Sequence, residues 1–156
     1  MEPRGTVRLL AAFDTNLLAY AEGVNDPDRQ AAAQRVIDAI PTEFVFLPVQ
    51  VLGELFQVLV RKGKRTPMQA RDAVASWRDG YRTIHTTDAI LVSAMDLAAD
   101  HQVFIWDAII IAAASDAGCR LLLSEDMQEG FTWGGVTIVN PFAATPHPLL
   151  ASLTRT

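Results

Sequence analysis

Short apolar segments of strand length alternate along this chain with longer segments of helical periodicity. The strand candidates are VRLLAAF (7–13), EFVFL (43–47), RTIH (82–85), RLLLS (120–124) and VTIVN (136–140). A strand that is apolar along its whole length is buried on both faces. Strands separated by helices are joined by crossovers, which build a parallel sheet covered on both sides. We therefore expect an α/β fold of three layers, α/β/α, with a central parallel sheet of four to five strands flanked by helices.

The helical segments begin with recognisable capping residues. Asp26–Pro27 and Thr66–Pro67 each combine an N-cap residue with proline at the first helical position. Asp107 opens a strongly apolar helix predicted over 107–117. The Pro-broken tail 143–156 is expected to lie over the surface or to fray. The chain is thus interpreted as a single domain, 1–156, with a core at about 7–142.

Size and composition exclude several classes of protein. The chain has 156 residues, of which 50% are hydrophobic, so it can bury a core and is not expected to be disordered. No apolar run approaches the roughly 20 residues that span a bilayer, and the first residues make a poor signal peptide. The single Cys119 cannot form an internal disulfide, and no Cys/His cluster has zinc spacing. A reducing, cytoplasmic setting without a membrane partner is the expectation.

The charge is unevenly distributed. Seven of the 13 basic residues lie between positions 61 and 82, where only Asp72 and Asp79 offset them, although the whole chain carries −5. This pattern indicates either a basic patch on an acidic body or two solvated helix faces. The basic residues expected to contact a polyanion are Arg61, Lys62, Lys64 and Arg65.

Acidic residues follow two of the predicted strands and open a nearby helix. Asp14 comes directly after the first strand, and Asp126 follows the strand at 120–124. Ligands of a parallel sheet bind outside the carboxyl ends of its strands, so these two carboxylates are expected at one edge. Asp107, at the predicted start of its helix, is expected beside them. Each acid also has an ordinary explanation, because helix N-caps and turns favour aspartate.

The sequence does not show which way the side chain of Glu54 faces. Gln50, Glu54, Gln57 and Arg61 form one polar stripe on the helix that begins after Pro48. That stripe faces either the acidic edge or water, and helical periodicity does not distinguish the two.

Carboxylates gathered at one edge repel one another unless positive charge lies between them. Their hard oxygen ligands suit Mg²⁺ or Mn²⁺, which are held by few carboxylates together with waters and substrate phosphate. Such an ion lowers the pKa of a bound water and stabilises the leaving oxygen of a phosphodiester.

The ordered segments FDTNLLAY, GELFQVL, FIWDAIIIAAASDAG, LLLSEDM and IVNPF together resemble the PIN domain family, in particular the VapC-type toxin ribonucleases. The resemblance runs from about Val7 to Phe142. It implies a PIN-like fold and a metal-dependent endoribonuclease. It also implies a homodimer that is blocked by a small antitoxin protein, with RNA as the substrate.

The resemblance further implies roles for individual residues. Matched by position, the acidic quartet coordinates one or two Mg²⁺ or Mn²⁺ ions, and Ser124 orients the last acid. Thr15 or Asn16 hydrogen-bonds around the first acid. The quartet is Asp14, Glu54, Asp107 and Asp126.

Other functional classes fit the sequence less well. A haloacid-dehalogenase-type phosphatase requires aspartate where this chain has Asn16, and a nucleotide-cofactor fold requires glycines that FDTNLL lacks. A receiver domain requires a lysine after a late strand, but the only lysines are Lys62 and Lys64. The alternative from another class is a non-catalytic PIN-like module that binds RNA or protein.

Overall fold

The computed structural model describes residues 9–154, and a six-stranded sheet runs through its centre. The strand order is β3-β2-β1-β4-β6-β5. Five strands are parallel, and β5 pairs antiparallel with β6 at one edge. The strands are β1 (Ala11–Phe13), β2 (Val45–Pro48), β3 (Arg82–Ile84), β4 (Leu121–Leu123), β5 (Thr132–Trp133) and β6 (Val136–Val139).

Seven α-helices within the described residues flank this sheet. They are α1 (Thr15–Ala21), α2 (Pro27–Ala39), α3 (Val49–Arg61), α4 (Pro67–Gly80), α5 (Asp88–His101), α6 (Ile105–Asp116) and α7 (Pro148–Thr154). Helices α1 to α4 pack on one another, and α5 packs along α6. Because crossovers between parallel strands are almost always right-handed, the strand order puts these two groups on opposite faces of the sheet. The predicted three-layer α/β/α fold with a mainly parallel sheet is confirmed.

Burial explains why the strand segments are apolar throughout. Strands β1 and β4, side by side in the middle of the sheet, are buried at every residue. Helix α6 is almost as apolar, with every residue from Ala108 to Ala114 buried. Charged side chains on these elements are therefore confined to their ends, which is where the acids lie.

The five predicted strands all form, with shifted boundaries. The first begins at Ala11, and residues 7 and 8 of its predicted range lie outside the described part of the chain. The short antiparallel strand β5 was not predicted. It forms because the turn at Gly134–Gly135, with φ values of 57° and 82°, folds Thr132–Trp133 back along β6.

Two further expectations are wrong. Helix α6 begins at Ile105 rather than at Asp107, so Asp107 lies within the first turn and is not the cap. The tail does not fray between 148 and 154, because α7 buries Leu150 and Leu153 against the core. Proline is compatible with the first position of a helix, and Pro148 occupies that position here.

The described residues contain no helix that is both long and apolar enough to cross a membrane.

Candidate active site at the carboxyl edge of the sheet

Asp14 is held at the end of the central strand by both its backbone and its side chain. Its N–H donates to Leu123 O at 2.9 Å, which extends the pairing of β1 and β4 by one residue. Its carboxylate accepts the Thr15 N–H at 2.7 Å and is the N-cap of α1. The Ser124 hydroxyl donates to the other oxygen at 2.7 Å. Asp14 is therefore a helix N-cap and also lies at the carboxyl edge of the sheet, so the two positions considered from sequence coincide.

The end of β4 contributes Ser124 and Asp126. Ser124 is fully buried, and its N–H continues the ladder by donating to Val139 O at 3.0 Å. Its hydroxyl oxygen accepts the Asp126 N–H at 3.2 Å. The Ser124 hydroxyl thus holds both the carboxylate of Asp14 and the backbone of Asp126. The Asp126 side chain stays exposed.

Asn16 lies between the two strand-end acids. Its amide nitrogen is 3.2 Å from Asp14 Oδ2 and 3.3 Å from Asp126 Oδ2, so it donates toward both carboxylates. Its amide oxygen accepts the Glu125 N–H at 3.2 Å. Asn16 therefore ties the first turn of α1 to the loop after β4.

Glu54 faces this edge rather than water. Thr15 Oγ1 donates to Glu54 Oε2 at 3.0 Å, which joins α1 to the middle of α3. Asp107, from the first turn of α6, lines the same pocket and makes no side-chain hydrogen bond to another described residue. All four predicted acids, with Thr15 and Asn16, line one pocket of about 280 Å³.

The acids destabilise one another's charged forms. Burial, together with the charges of Asp107 and Asp126, raises the pKa of Asp14 to about 6 in spite of the Ser124 and Thr15 hydrogen bonds. Burial and the charges of Asp14 and Asp107 raise the pKa of Glu54 to about 7. The pKa of Asp107 is raised by burial and by Asp126. No basic side chain contributes to these shifts, so the pocket favours a proton or a bound cation.

The chemistry of these side chains fits a hard divalent ion, although their present spacing does not form a finished site. Among residues 9–154, no three Asp, Glu, His or Cys side chains lie close enough together to share an ion. The Asn16 amide separates Asp14 from Asp126, and Thr15 holds Glu54. The oxygen donors and their unrelieved repulsion are nevertheless the features that Mg²⁺ or Mn²⁺ would satisfy.

The four basic residues of the 61–65 run have different surroundings. Lys62 lines the acidic pocket, whereas Arg61 and Lys64 are exposed elsewhere. Arg65 is tied to Glu22, with its Nη1 2.6 Å from Glu22 Oε1 and its Nη2 2.6 Å from Glu22 O. Of these four residues, Lys62 therefore lines the pocket, and Arg65 is paired with Glu22 within the fold.

A cluster beside the pocket was not singled out from sequence. Tyr20 lines the pocket and donates its hydroxyl to Glu125 Oε1 at 3.2 Å. Arg29 Nη2 lies 3.2 Å from Glu125 Oε2, and the Arg29 guanidinium stacks 4.6 Å from the centre of the Phe142 ring. No spacing in the sequence connects these residues, because they come from α1, α2 and two separate loops.

The family model described as "PIN domain" matches residues 11–128, which include all four acids. A search of curated proteins finds no significant match.

Several solved structures share the fold. The Mycobacterium tuberculosis toxin VapC20, described as cleaving the sarcin–ricin loop, is 23% identical with a TM-score of 0.63, and the match covers 74% of this chain and 89% of that one. A toxin–antitoxin complex from Klebsiella pneumoniae is 20% identical with a TM-score of 0.64, over 85% and 98% of the two chains.

VapBC2 from Rickettsia felis, solved with a DNA fragment from its promoter, is 12% identical with a TM-score of 0.60, over 83% of this chain and 97% of that one. These identities support likeness of fold, while the family model covers most of the sequence. The chain belongs to the PIN domain family.

Proposed function

We propose that this protein is a metal-dependent endoribonuclease and the toxin of a toxin–antitoxin pair. The observation that carries the proposal is the convergence of four carboxylates, two from helices and two from strand ends, on one pocket of a PIN domain. The structural neighbours support the same function, since VapC20 is described as a toxin that cleaves the sarcin–ricin loop.

The residues at the pocket have different roles in the proposed hydrolysis. Asp14, Glu54, Asp107 and Asp126 would hold one or two Mg²⁺ or Mn²⁺ ions. When bound, such an ion activates water and stabilises the leaving oxygen of a phosphodiester. Ser124 and Asn16 position the strand-end acids, and Thr15 orients Glu54.

The test is cleavage of total cellular RNA by the purified protein, with Mg²⁺ or Mn²⁺ and separately with EDTA. We expect discrete fragments that require the ion and disappear with Asp14→Asn. Asp88→Asn is the matched control, because Asp88 is an exposed acid in the first turn of α5, away from the pocket. Cleavage that persists in EDTA, or in Asp14→Asn at the wild-type rate, contradicts the proposal.

An antitoxin and a homodimer belong to the same proposal. The neighbours from Klebsiella pneumoniae and Rickettsia felis are toxin–antitoxin assemblies, which supports a protein partner. Large apolar side chains exposed on α5 and at the start of α6 also support protein contacts. They are Leu91, Val92, Met95, Phe104 and Trp106.

The oligomeric state is tested by light scattering after size exclusion. We expect a dimeric mass for the wild type and a monomeric mass for Val92→Asp with Met95→Asp. A monomeric wild type contradicts the homodimer and leaves the nuclease untouched. A cytoplasmic location, where RNA is present and the buried Cys119 stays reduced, completes the proposal.

A further inference from the structure

The acidic pocket continues away from the sheet as a groove between α1 and α3. Both helices start at the carboxyl edge, because each follows its strand directly. One wall is the row Glu54, Val58 and Lys62, which are spaced four residues apart along α3 and its C-cap. Such a spacing keeps side chains on one face of a helix. The opposite wall is formed by Tyr20 and by the turn that follows α1.

The two ends of this groove carry opposite charge. The near end holds the four acids, and the far end holds Lys62 and Asn25. From Glu54 to Lys62 the helix rises about 12 Å. Val24 and Val58 line the groove between the ends, so its middle is apolar.

Lys62 is available to a ligand, unlike its neighbour Arg65. Its side chain is exposed and makes no hydrogen bond or ion pair with any residue in 9–154, while its backbone N–H donates to Val58 O at 2.8 Å. Arg65 is engaged by Glu22 through both of its terminal nitrogens. The chain therefore uses one cation of this basic run for folding and leaves the one in the groove unpaired.

Asn25 and Tyr20 offer a ligand an amide and an aromatic ring at one wall of the groove. Asn25 has a left-handed backbone with φ of 72°, a conformation that asparagine tolerates better than most residues. The Tyr20 ring packs edge-on against Phe142 with centroids 5.7 Å apart, and its hydroxyl is bonded to Glu125. An amide and an aromatic wall in a preformed groove are suited to contact a base or a sugar.

We propose that this groove is a nucleotide subsite for single-stranded RNA, in which Lys62 binds the phosphate next to the one that would be cleaved at the acidic end. The inference rests on the proposed nuclease function and adds the position and register of the strand. The nucleoside lies along the apolar middle, beside Tyr20, with Asn25 at the edge of the base. The pocket is close to the lower limit, roughly 300 Å³, of small-ligand sites, so it takes one nucleotide and excludes a duplex.

Binding of a fluorescein-labelled, random-sequence 12-mer of single-stranded RNA tests the subsite. Anisotropy is measured with Mg²⁺ in an Asp14→Asn background, which suppresses cleavage. Lys62→Gln is compared with Arg120→Gln, which removes the same charge from an exposed residue before β4, at the opposite edge of the sheet. Circular dichroism confirms that each variant is folded.

We expect Lys62→Gln to weaken binding by about 3- to 10-fold and to reduce the salt slope by about 0.7, the value for one phosphate contact on a single strand. Arg120→Gln should stay within about twofold of its parent. Asn25→Gly, which keeps the left-handed backbone, should reduce any preference among oligo-A, oligo-C, oligo-G and oligo-U.

The outcomes separate the subsite from the nuclease. If the parent binds RNA and Lys62→Gln weakens binding no more than Arg120→Gln, the subsite is wrong and the nuclease stands. If the wild type neither binds the 12-mer nor cuts total RNA with Mg²⁺ or Mn²⁺, both proposals fail. A 12-mer that binds equally well as a duplex also overturns the subsite.

Discussion

Helix α1 carries a sheltered carboxylate at each end, and the two have opposite surroundings. Glu22, the C-cap, accepts Arg65 at 2.6 Å and the Trp77 indole N–H at 2.9 Å. Asp14, the N-cap, accepts only neutral donors among the described residues, while burial and two further acids raise its pKa. Glu22 thus has its countercharge inside the chain, whereas no cation among residues 9–154 pairs with Asp14.

This difference separates a carboxylate that is paired within the fold from a candidate ligand for a cation. A sheltered charge costs free energy unless it is paired or hydrogen-bonded. Arg65 and Trp77 remove that cost at Glu22 and join α1 to α4. At the acidic pocket the cost remains in the folded protein, which is expected where an external cation is to be bound. Substitutions at the acidic pocket and at the Glu22 pair should therefore differ in their effects on activity and stability.

The largest expected effect is on catalysis. Glu54→Gln should lower the rate of RNA cleavage by at least about 10²-fold, as the loss of one electrostatic group does in other active sites. Glu22→Gln is the matched carboxyl-to-amide change, and the folded fraction of that variant should cleave RNA at the wild-type rate. Single-turnover cleavage with Mg²⁺ measures both rates. An equal loss of rate in the two variants would contradict the difference between Glu54 and Glu22.

The next effect is on stability. Arg65→Ala should lower the free energy of unfolding by about 1–3 kcal/mol, because Glu22 is left partly buried without its cation. Arg71→Ala breaks a pair with Asp72 that is exposed on both sides, so it should change stability by less than about 0.5 kcal/mol. Urea unfolding measures both values. An Arg65 variant as stable as the Arg71 variant would show that the Glu22 tie is dispensable.

The acidic pocket should make stability depend on pH in a defined direction. The folded pKa values, about 6 for Asp14 and about 7 for Glu54, lie above the ordinary values of 3.8 and 4.5. The folded state therefore binds more protons between pH 4 and pH 7, and the free energy of unfolding falls as the pH rises through that window.

In EDTA we expect the protein to be about 1–3 kcal/mol more stable at pH 5 than at pH 8, through Asp14 and Glu54 together. Urea unfolding at the two pH values measures the difference. Asp14→Asn should remove the part of the difference that comes from Asp14, and added Mg²⁺ should reduce the difference in the wild type by stabilising the charged forms. A wild type that is more stable at pH 8 in EDTA would contradict the unrelieved repulsion.

The smallest effect compares two helix-start aspartates. Asp107→Asn should be neutral or stabilising by up to about 1 kcal/mol in EDTA, because removing its charge relieves repulsion. Asp88 lies in the first turn of α5 and is exposed, so Asp88→Asn should cost about 0.3–1 kcal/mol of helix-dipole interaction. Thermal melts of both variants measure the difference. A fall in Tm for Asp107→Asn as large as that for Asp88→Asn would favour a purely structural role.

Much of the fold and part of the site follow from sequence. The alternation of apolar runs and helical patterns predicts the parallel sheet, because only crossovers join parallel strands. Asp14 and Ser124 then fall on one edge by position alone, since each comes directly after its strand. The strand β5 and the helix α7 were missed, because a two-residue pairing and a proline-rich helix carry little periodic signal.

What the sequence by itself determined is which residues lie at element ends and which share a helix face. Tertiary structure alone decided what each face meets. Glu54 turns toward the acids because α1 packs against α3 and places Thr15 within 3.0 Å of it. Lys62 and Arg65 are three residues apart in one basic run, yet one lines a groove and the other is paired with Glu22. The physical reason is that local periodicity orients a side chain only relative to its own helix, while its partner comes from a distant part of the chain.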